Sequence, residues 1–406
     1  MKVGIGVGNC KDSFGLGRFV AGQAIQDGKI NSPSFALAFC GVGTNGYEFF
    51  DGIRSVIGAQ VPVLGGSGIG IITNHVISYD NYPAGLLLIE DHSIQARFAL
   101  AEGLDKDEHQ AGRLLANQFS LKSDTKLFLF YDSVRIPPKE GAPPVMNSSK
   151  PLLQGIADII GSGVPIIGAG TVGDFDFSPT VQFAGDSVKS RSAVALVLDG
   201  DNNADFVIMH GCSPKSGLCH TITRAEGAVI YEIDNQPIVK IINEMYGSEE
   251  WQQQHPVKRL SLGVNHGEKF NKEFFEKDYV NRLIVGVLPD KSGIVLFEPD
   301  LGAGDEIQFM LRNPRQMITS ARKNSETLIE TIKNSGKKPL WGFYIDCAGR
   351  TALFSETLQE EATEVQEVFN RNNIPLFGFY SGVEIAPFIN KNRGLDWTGV
   401  LTVFSK

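Results

Sequence analysis

The sequence has few of the features that mark secreted, membrane-spanning or nucleic-acid-binding proteins. It has only five cysteines among 406 residues, an odd number at scattered positions, which is typical of a reducing cytosol and not of a disulfide scaffold. It has no apolar run long enough to cross a bilayer and no signal-peptide core at its N-terminus. Its net charge of −9 disfavours nucleic acid as a partner. We therefore expect a cytoplasmic protein with neither membrane nor nucleic-acid partners.

The sequence also lacks the usual signatures of catalytic and cofactor-binding sites. The glycine runs at residues 4–8 and 168–173 do not have the spacing and following helix of a dinucleotide fingerprint. Residues 66–70 come near the Gly-x-Ser-x-Gly elbow of hydrolases but do not match it. These absences favour a protein with no cofactor, no catalytic residues and no enzymatic activity.

A segment rich in cysteine and histidine raises the question of zinc. It contains His210, Cys212, Cys219 and His220. Structural zinc sites usually pair cysteines two to four residues apart, whereas six residues separate these two and no second cluster completes a tetrahedron. We interpret the segment as a Gly/Pro/Ser-rich crossing between domains with partly buried thiols, and we expect no metal site.

What the sequence does contain is a short phrase that occurs three times. It consists of a β-branched residue, proline, two large apolar residues, glycine and then a small or hydroxyl-rich run, at residues 61–71, 164–175 and 374–385. A residue before proline favours extended conformations, so each copy is predicted to open a strand. The glycines are expected to bend the chain or to let a ligand approach the backbone closely.

The surroundings of the phrase repeat as well. An apolar run that ends in a small polar residue lies upstream of each copy, a helical pattern lies between them, and a second apolar run lies downstream. Short continuous apolar runs are typical of strands buried on both faces. The sequence therefore predicts an α/β protein made of layered mixed β-sheets with flanking helices and built from repeated strand–helix–strand–strand units. We divide it into two domains, residues 1–210 and 211–406.

Other segments have patterns of their own. Paired strands are predicted near residues 283–287 and 293–297. Apolar residues at helical spacing predict helices near residues 15–27, 94–100, 107–119, 152–160, 237–245, 315–334 and 356–373.

Several of these stretches resemble the FIST family (F-box and intracellular signal transduction). The resemblance lies in GCSP at 211–214, TRAEG at 223–227, YEIDNQP at 231–237, CAGR at 347–350 and PLFGFYSGVEIAP at 375–387. It covers nearly the whole chain and implies an N-terminal and a C-terminal FIST domain. It also implies an intracellular sensory module that binds a small ligand, for which an amino acid is one candidate, and that relays to a separate signalling protein. The chain has no kinase signature, heptad repeat or F-box-sized extension, so a stand-alone protein is expected.

Two carboxylates follow the glycine-rich bends. Aligning the three copies on proline and glycine places Ile71, Asp174 and Glu384 in one column. A carboxylate there suits a ligand ammonium, although it could also cap or pair locally. Arg350 is a candidate partner for a ligand carboxylate, and a surface position is equally compatible with the sequence.

Aligning the apolar runs upstream of the three copies places Cys40, Ser133 and Cys347 in a second column, at the ends of the predicted strands. Ligands tend to bind at strand ends in open α/β sheets. The alternative function is therefore a hydrolase or transferase that uses Cys347 or Cys40 with Glu384. A small buried residue is the simpler interpretation of either thiol.

Residues of both columns and of the glycine-rich bends form one candidate ligand site. Gly378 helps to form a bend where backbone amides can face a ligand, and Tyr380, Ser381 and Glu384 place a phenol, a hydroxyl and a carboxylate close together. The full set is Cys347, Arg350, Tyr380, Ser381, Glu384, Gly378, Gly168, Asp174, Ser67 and Cys40.

The zinc question has a direct test. We expect elemental analysis of the purified protein to find no stoichiometric zinc, because the four Cys and His residues lack structural-site spacing. Loss of folding on treatment with a chelator would contradict this, since a structural zinc contributes folding free energy.

Overall fold

The computed structural model describes residues 1–120, 125–139, 144–200, 203–268 and 273–406. It is a mixed α/β protein, with 26% of residues in helices and 40% in strands, which confirms the predicted fold class. Three six-stranded sheets and one eight-stranded sheet contain most of the strands. None of the described helices is both long and apolar enough to cross a bilayer.

The first part of the chain contains the first copy of the phrase. Capping starts both of its helices, because the side chains of Asp12 and Asn45 accept hydrogen bonds from backbone amides of the first turns. The elements are β1 (Lys2–Asn9), α1 (Ser13–Gly28), β2 (Phe35–Cys40), α2 (Gly46–Ile57), β3 (Val63–Ser67), β4 (Ile71–Thr73), β5 (Ile77–Ser78), β6 (Pro83–Glu90) and β7 (Gln95–Glu102).

The second part contains the second copy and repeats the order helix, strand, helix, strand, hairpin and strand of the first part, with two short strands added before its second helix. Its elements are α3 (Glu108–Ala116), β8 (Lys126–Asp132), β9 (Val134–Ile136), β10 (Val145–Met146), α4 (Ser149–Ile160), β11 (Ile166–Thr171), β12 (Gln182–Gly185), β13 (Ser187–Lys189) and β14 (Ser192–Asp199).

The third part leads out of the repeats and through the eight-stranded sheet. Its elements are β15 (Asn203–Met209), β16 (Cys212–Pro214), β17 (His220–Glu226), β18 (Val229–Ile233), β19 (Gln236–Pro237), α5 (Ile238–Tyr246), β20 (Leu260–Asn265), β21 (Tyr279–Val287), β22 (Ile294–Leu296) and β23 (Glu306–Arg312).

The last part contains the third copy. A long helix precedes it, capped by Asn313 and started by a proline in its first turn. The elements are α6 (Pro314–Asn334), β24 (Pro339–Cys347), α7 (Ala352–Ser355), α8 (Ala362–Arg371), β25 (Leu376–Ser381), β26 (Val383–Phe388), β27 (Lys391–Leu395) and β28 (Gly399–Ser405).

Three of the sheets are built on one plan. In each repeat two parallel strands flank a helix, and a third strand lies antiparallel to the first of them, in the orders β6-β2-β3, β14-β8-β11 and β28-β24-β25. One more strand, β1, β7 or β15, pairs beyond the antiparallel strand. The repeated strand–helix–strand–strand unit is therefore present three times.

A hairpin from a different repeat completes each of these sheets. The hairpin β12–β13 of the second repeat pairs with β3, the hairpin β26–β27 of the third repeat pairs with β11, and the hairpin β4–β5 of the first repeat pairs with β25. Every repeat thus donates one hairpin and receives one, in a closed cycle.

Glycine is required in the phrase for the same structural reason in all three copies. A Cβ built on Gly65, Gly168 or Gly378 would lie 1.9, 1.8 or 2.1 Å from a backbone carbonyl oxygen of the adjacent parallel strand. No side chain fits at that separation, so glycine lets the two parallel strands approach.

The inner faces of the three sheets meet in one apolar core. Alternate residues of β2 face opposite ways, so that Phe39 joins the central cluster whereas Ala38 and Cys40 pack with α1 and α2. Phe39 stacks on Phe379 at 3.8 Å between ring centroids and meets Phe130 edge-on at 5.1 Å. Such pairs add to the free energy of burial because ring quadrupoles attract in these geometries.

The eight-stranded sheet has an apolar core of its own, which includes Ile222, Trp251 and Ile284. It lies between the second and third repeats in the sequence. The exchange of β4–β5 into the third repeat crosses the proposed boundary between residues 210 and 211. The division into two domains there stays a prediction.

Two predicted helices differ in the structure. The sequence pattern predicts a helix at residues 94–100, but Gln95–Glu102 form β7, which pairs with β14 along its whole length. Hydrogen bonding to the edge of β14 stabilises the extended conformation of this segment more than its weak helical pattern favours a helix. The helix predicted at residues 356–373 is shorter in the structure, where α8 begins only at Ala362 and the preceding helix α7 has ended at Ser355.

The strand register also corrects the column of Cys40, Ser133 and Cys347. In the parallel pairs, Cys40 lies opposite Ser67, whereas the equivalent positions in the other repeats are Tyr131 and Asp346. Cys347 therefore lies one residue beyond the position of Cys40, and Ser133 lies two beyond it. A small polar residue at the end of a strand does not fix the register, because a shift of one residue moves each side chain to the other face of the sheet.

We predict that Phe39→Ala lowers the free energy of unfolding by about 3–5 kcal/mol, because it removes a fully buried ring and leaves a cavity. The control is Phe19→Ala on α1, whose ring is 58% exposed and should cost much less. Urea denaturation of both variants measures the difference. Equal losses would contradict a central aromatic core.

Candidate functional site

A cavity of about 370 Å³ opens where the three repeats meet. Ile69, Val172 and Gly382 line it, and each lies four residues after the glycine of its own phrase. All three follow the carboxyl end of the second parallel strand of a repeat. The cavity therefore lies at strand ends, which is where open α/β sheets place ligands.

The third repeat breaks the pattern at this position. Its residue is Gly382, whereas the other two repeats have a large apolar side chain. A Cβ on Gly382 would lie 2.7 Å from Cγ1 of Val172 and 3.4 Å from the ring of Phe297. No side chain fits at 2.7 Å without displacing Val172, so glycine lets the third repeat approach the second closely at this point of the cavity wall.

Four aromatic rings form much of the wall. Phe175 lies 4.8 Å from Phe354, and Phe177 lies 6.0 Å from Phe297, between ring centroids. Leu283 adds to this wall from β21 of the eight-stranded sheet. The walls thus come from the repeats and from the eight-stranded sheet together.

Three of the ten predicted ligand-site residues line the cavity: Asp174, Cys347 and Ser381. A fourth, Glu384, lies directly behind them, with Oε1 at 2.8 Å from the Ser381 hydroxyl. Glu384 is fully buried, and burial raises its pKa well above the ordinary range. The Ser381–Glu384 pair therefore connects the cavity wall to a buried carboxyl group.

The two candidate thiols lie in different places. Cys347 is 3% exposed at the end of β24, and burial followed by the nearby carboxylates of Glu384 and Asp396 raises the pKa of its thiol. Cys40 packs against α1 and α2 away from the cavity, and burial raises its pKa to about 12. Both thiols keep their protons near neutral pH, which does not favour a nucleophilic thiolate.

Asp174 uses its carboxylate locally at the rim of the cavity. Oδ1 accepts hydrogen bonds from the backbone amides of Asp176 and Ser178, at 3.0 and 2.9 Å, and Oδ2 accepts from the Ser178 hydroxyl at 2.6 Å. The alignment column of Asp174 needs correction, because Gln182 takes the position equivalent to Glu384 in the exchanged hairpins.

Arg350 lies outside the cavity wall and is 1% exposed. Its Nε donates to Oδ1 of Asp346 at 2.8 Å, and its Nη2 forms an ion pair with Glu361 at 3.0 Å without hydrogen-bond alignment. Nη1 donates to the carbonyl oxygens of His210 and Trp397. The guanidinium is thus occupied by protein groups.

The remaining predicted residues have structural contacts. The Tyr380 hydroxyl donates to Glu360 at 3.3 Å, and the Ser67 hydroxyl accepts from the amide of Val181 at 3.1 Å, next to the exchanged strand β12. Gly168 and Gly378 lie inside their strands, at the close approach already described.

The cysteine- and histidine-rich segment does not gather into one cluster. His210 Nε2 lies 2.8 Å from the carbonyl oxygen of Glu276, and His220 Nδ1 lies 2.7 Å from Asp234. Cys212 is buried whereas Cys219 is exposed. Within the described residues no group of three or more His, Cys, Asp or Glu side chains is arranged to hold a metal ion.

Sequence patterns do not point to the aromatic wall. Phe175 and Phe177 lie in residues 172–181, which separate β11 from β12, whereas only residues 68–70 and residue 382 separate the corresponding strands elsewhere. This insertion is visible once the three copies are aligned on structure. Phe297 and Leu283 give no such signal, because they belong to a sheet outside the repeats.

Family comparison covers most of the chain. The model of the FIST N domain matches residues 34–236, and the model of the FIST C domain matches residues 239–387. An uncharacterised protein of Methanocaldococcus jannaschii is 22% identical over 257 residues, which cover 60% of this chain and 46% of that protein. This chain therefore spans about half the length of that curated relative.

Solved structures show only a distant likeness. Cyanuric acid hydrolase from A. caulinodans has a TM-score of 0.26 at 8% identity, over 49% of this chain and 71% of that one. PurLQS from Thermotoga maritima has a TM-score of 0.23 at 8% identity, over 100% of this chain and 72% of that one. Neither likeness bears on function at such scores.

Arg350→Met should lower the free energy of unfolding by about 3–5 kcal/mol, because it leaves the buried carboxylates of Asp346 and Glu361 without their cation. The matched control is Arg371→Met, whose partner Glu326 lies at the surface and whose loss should cost about 0–1 kcal/mol. Chemical denaturation gives both values. A loss as small as that of Arg371→Met would show that Asp346 and Glu361 do not depend on this cation.

Proposed function

Because this chain belongs to the FIST family, whose domains are sensory domains of signal transduction, we propose that it binds a small ligand in the cavity where its three repeats meet. Binding would be relayed to a separate signalling protein. The five cysteines are all unpaired, which supports a reducing compartment such as the cytoplasm.

The cavity carries the proposal. A volume of about 370 Å³, a wall of mainly apolar and aromatic side chains and a few polar groups are the usual properties of a small-molecule site. The position at three sets of strand ends adds to this.

The way the walls are shared suggests how a ligand would be sensed. Ile69 and Val172 come from the repeats, whereas Leu283 and Phe297 belong to the eight-stranded sheet or follow it directly. A ligand that contacts both would stabilise one arrangement of the two parts over others. That change in population is the signal that a partner protein would read.

The alternative of a hydrolase or transferase is less well supported. Of its two candidate nucleophiles only Cys347 lines the cavity, and its thiol stays protonated. An amino acid as ligand also loses part of its support, because Arg350 has no free side for a ligand carboxylate.

Changing the cavity wall tests the proposal. Gly382→Val should abolish the rise in melting temperature that a ligand from a metabolite screen gives the wild type, because its Cβ would lie 2.7 Å from Cγ1 of Val172 and must displace that part of the wall. Gly382→Ala should give an intermediate loss. Gly217→Val is the control, since a Cβ there meets nothing within 4 Å.

Thermal shift measures the effect in all four proteins. Ligands that stabilise Gly382→Val as much as the wild type would place the site elsewhere. A screen in which no compound stabilises the wild type would contradict the sensory function itself.

A further inference from the structure

The acidic side chains outnumber the basic ones around the cavity. Two carboxylates, Asp174 and Asp176, line its rim, His255 is the one imidazole among the described lining residues, and no lysine or arginine is among them. Asp176 is exposed, and its carboxylate has no ion pair in the described part of the chain. A ligand that enters therefore meets negative charge first.

The groups behind the floor add no unbalanced positive charge. The guanidinium of Arg350 is paired with Asp346 and Glu361. Glu384 lies behind Ser381, with no cation among the described residues hydrogen-bonded to it, and its raised pKa favours the neutral form.

One buried cation lies nearby but is engaged elsewhere. Arg312 stacks on Trp397, with its Cζ 3.6 Å from the ring centroid. It donates to the carbonyl oxygens of Lys258 and Gly349 and to the Ser355 hydroxyl. Its side chain does not line the cavity, so it offers nothing to an anion bound there.

The aromatic wall suits a cation as well as an apolar body. Phe175, Phe177, Phe297 and Phe354 present four rings around one cavity. Ring faces attract ammonium groups, more strongly where water is excluded. Their area also binds a ring or short chain through burial.

We propose that the ligand of this cavity is a compact apolar amine, with its hydrophobic body against the phenylalanine rings and its ammonium group at Asp174 and Asp176. This rests on the proposed function, which it deepens by naming the ligand class. A free carboxylate or phosphate would lie against two carboxylates, with the imidazole of His255 as the single basic side chain among the described lining residues. An amino acid with its carboxylate free belongs to the disfavoured class.

Three probes of one shape test the charge preference. They are 3-phenylpropylamine, 3-phenylpropanol and 3-phenylpropanoate, a cation, a neutral molecule and an anion at pH 7, and phenylalanine serves as the amino-acid probe. Calorimetric titration of the whole chain at low salt should rank the amine first, the alcohol second and the anion last. The preference for the amine should shrink as salt is added.

Variants assign that preference to the rim. Asp174→Asn together with Asp176→Asn should lower the affinity for the amine by about two- to fivefold, which is the range of an exposed ion pair. The affinity for the alcohol should be unchanged. Asp51→Asn on α2 is the matched control, an exposed acid outside the cavity. Its affinities for the amine and the alcohol should equal those of the wild type.

The outcomes separate the two proposals. If the anion or phenylalanine binds more tightly than the amine, and Gly382→Val abolishes that binding, the ligand class is wrong and the sensory function stands. If the rim variants weaken amine and alcohol alike, the carboxylates do not select charge and the inference fails. If no probe binds while other compounds stabilise the wild type, the inference again fails alone.

Discussion

Each of the three six-stranded sheets depends on a hairpin that belongs to a different repeat. Without β12–β13, β26–β27 or β4–β5, the strands β3, β11 and β25 would each present an open edge of unpaired backbone groups. Because every repeat both gives and receives, opening one pairing exposes an edge in a neighbour. The same cycle brings the strand ends of all three repeats to one place, and the cavity is the space left between them.

Buried polar contacts hold the eight-stranded sheet over that space. Glu298, just after β22, accepts hydrogen bonds from the hydroxyls of Ser148 and Ser149 and from the amide of Ser149, at 2.8–2.9 Å. Arg282 on β21 pairs with Asp300 and also donates to the carbonyl oxygen of Gly394 in the exchanged strand β27. Because Arg282 and Glu298 directly neighbour Leu283 and Phe297 in the sequence, these contacts join three regions of the chain beside the cavity wall.

The sequence predicts the units of this fold better than their assembly. Proline and glycine in the phrase place the strands correctly, because both act on local backbone geometry and on the adjacent strand. The partner of each hairpin lies in another repeat, and no local pattern reports it. The same limit applies to β7, whose helical pattern is outweighed by pairing with β14.

The residues of the candidate site could also be predicted only in part from the sequence. Cys347, Ser381 and Asp174 follow from the rule that ligands bind at strand ends, and they do line the cavity. Arg350 has a suitable charge and position in the sequence, but its partner Glu361 comes from a segment that only tertiary structure brings near. The aromatic wall depends on an insertion and on a sheet outside the repeats, so neither residue type nor spacing reveals it.

The cyclic exchange also sets the order in which the chain can complete itself during synthesis. Asn74, in the turn between β4 and β5, donates to the carbonyl oxygen of Ile374, 300 residues further along. The hairpin that the first repeat contributes therefore leaves the ribosome long before the strand that receives it exists. Until the last repeat emerges, that hairpin has no sheet to join. The pairing between the first and third repeats can therefore form only after most of the chain has been synthesised.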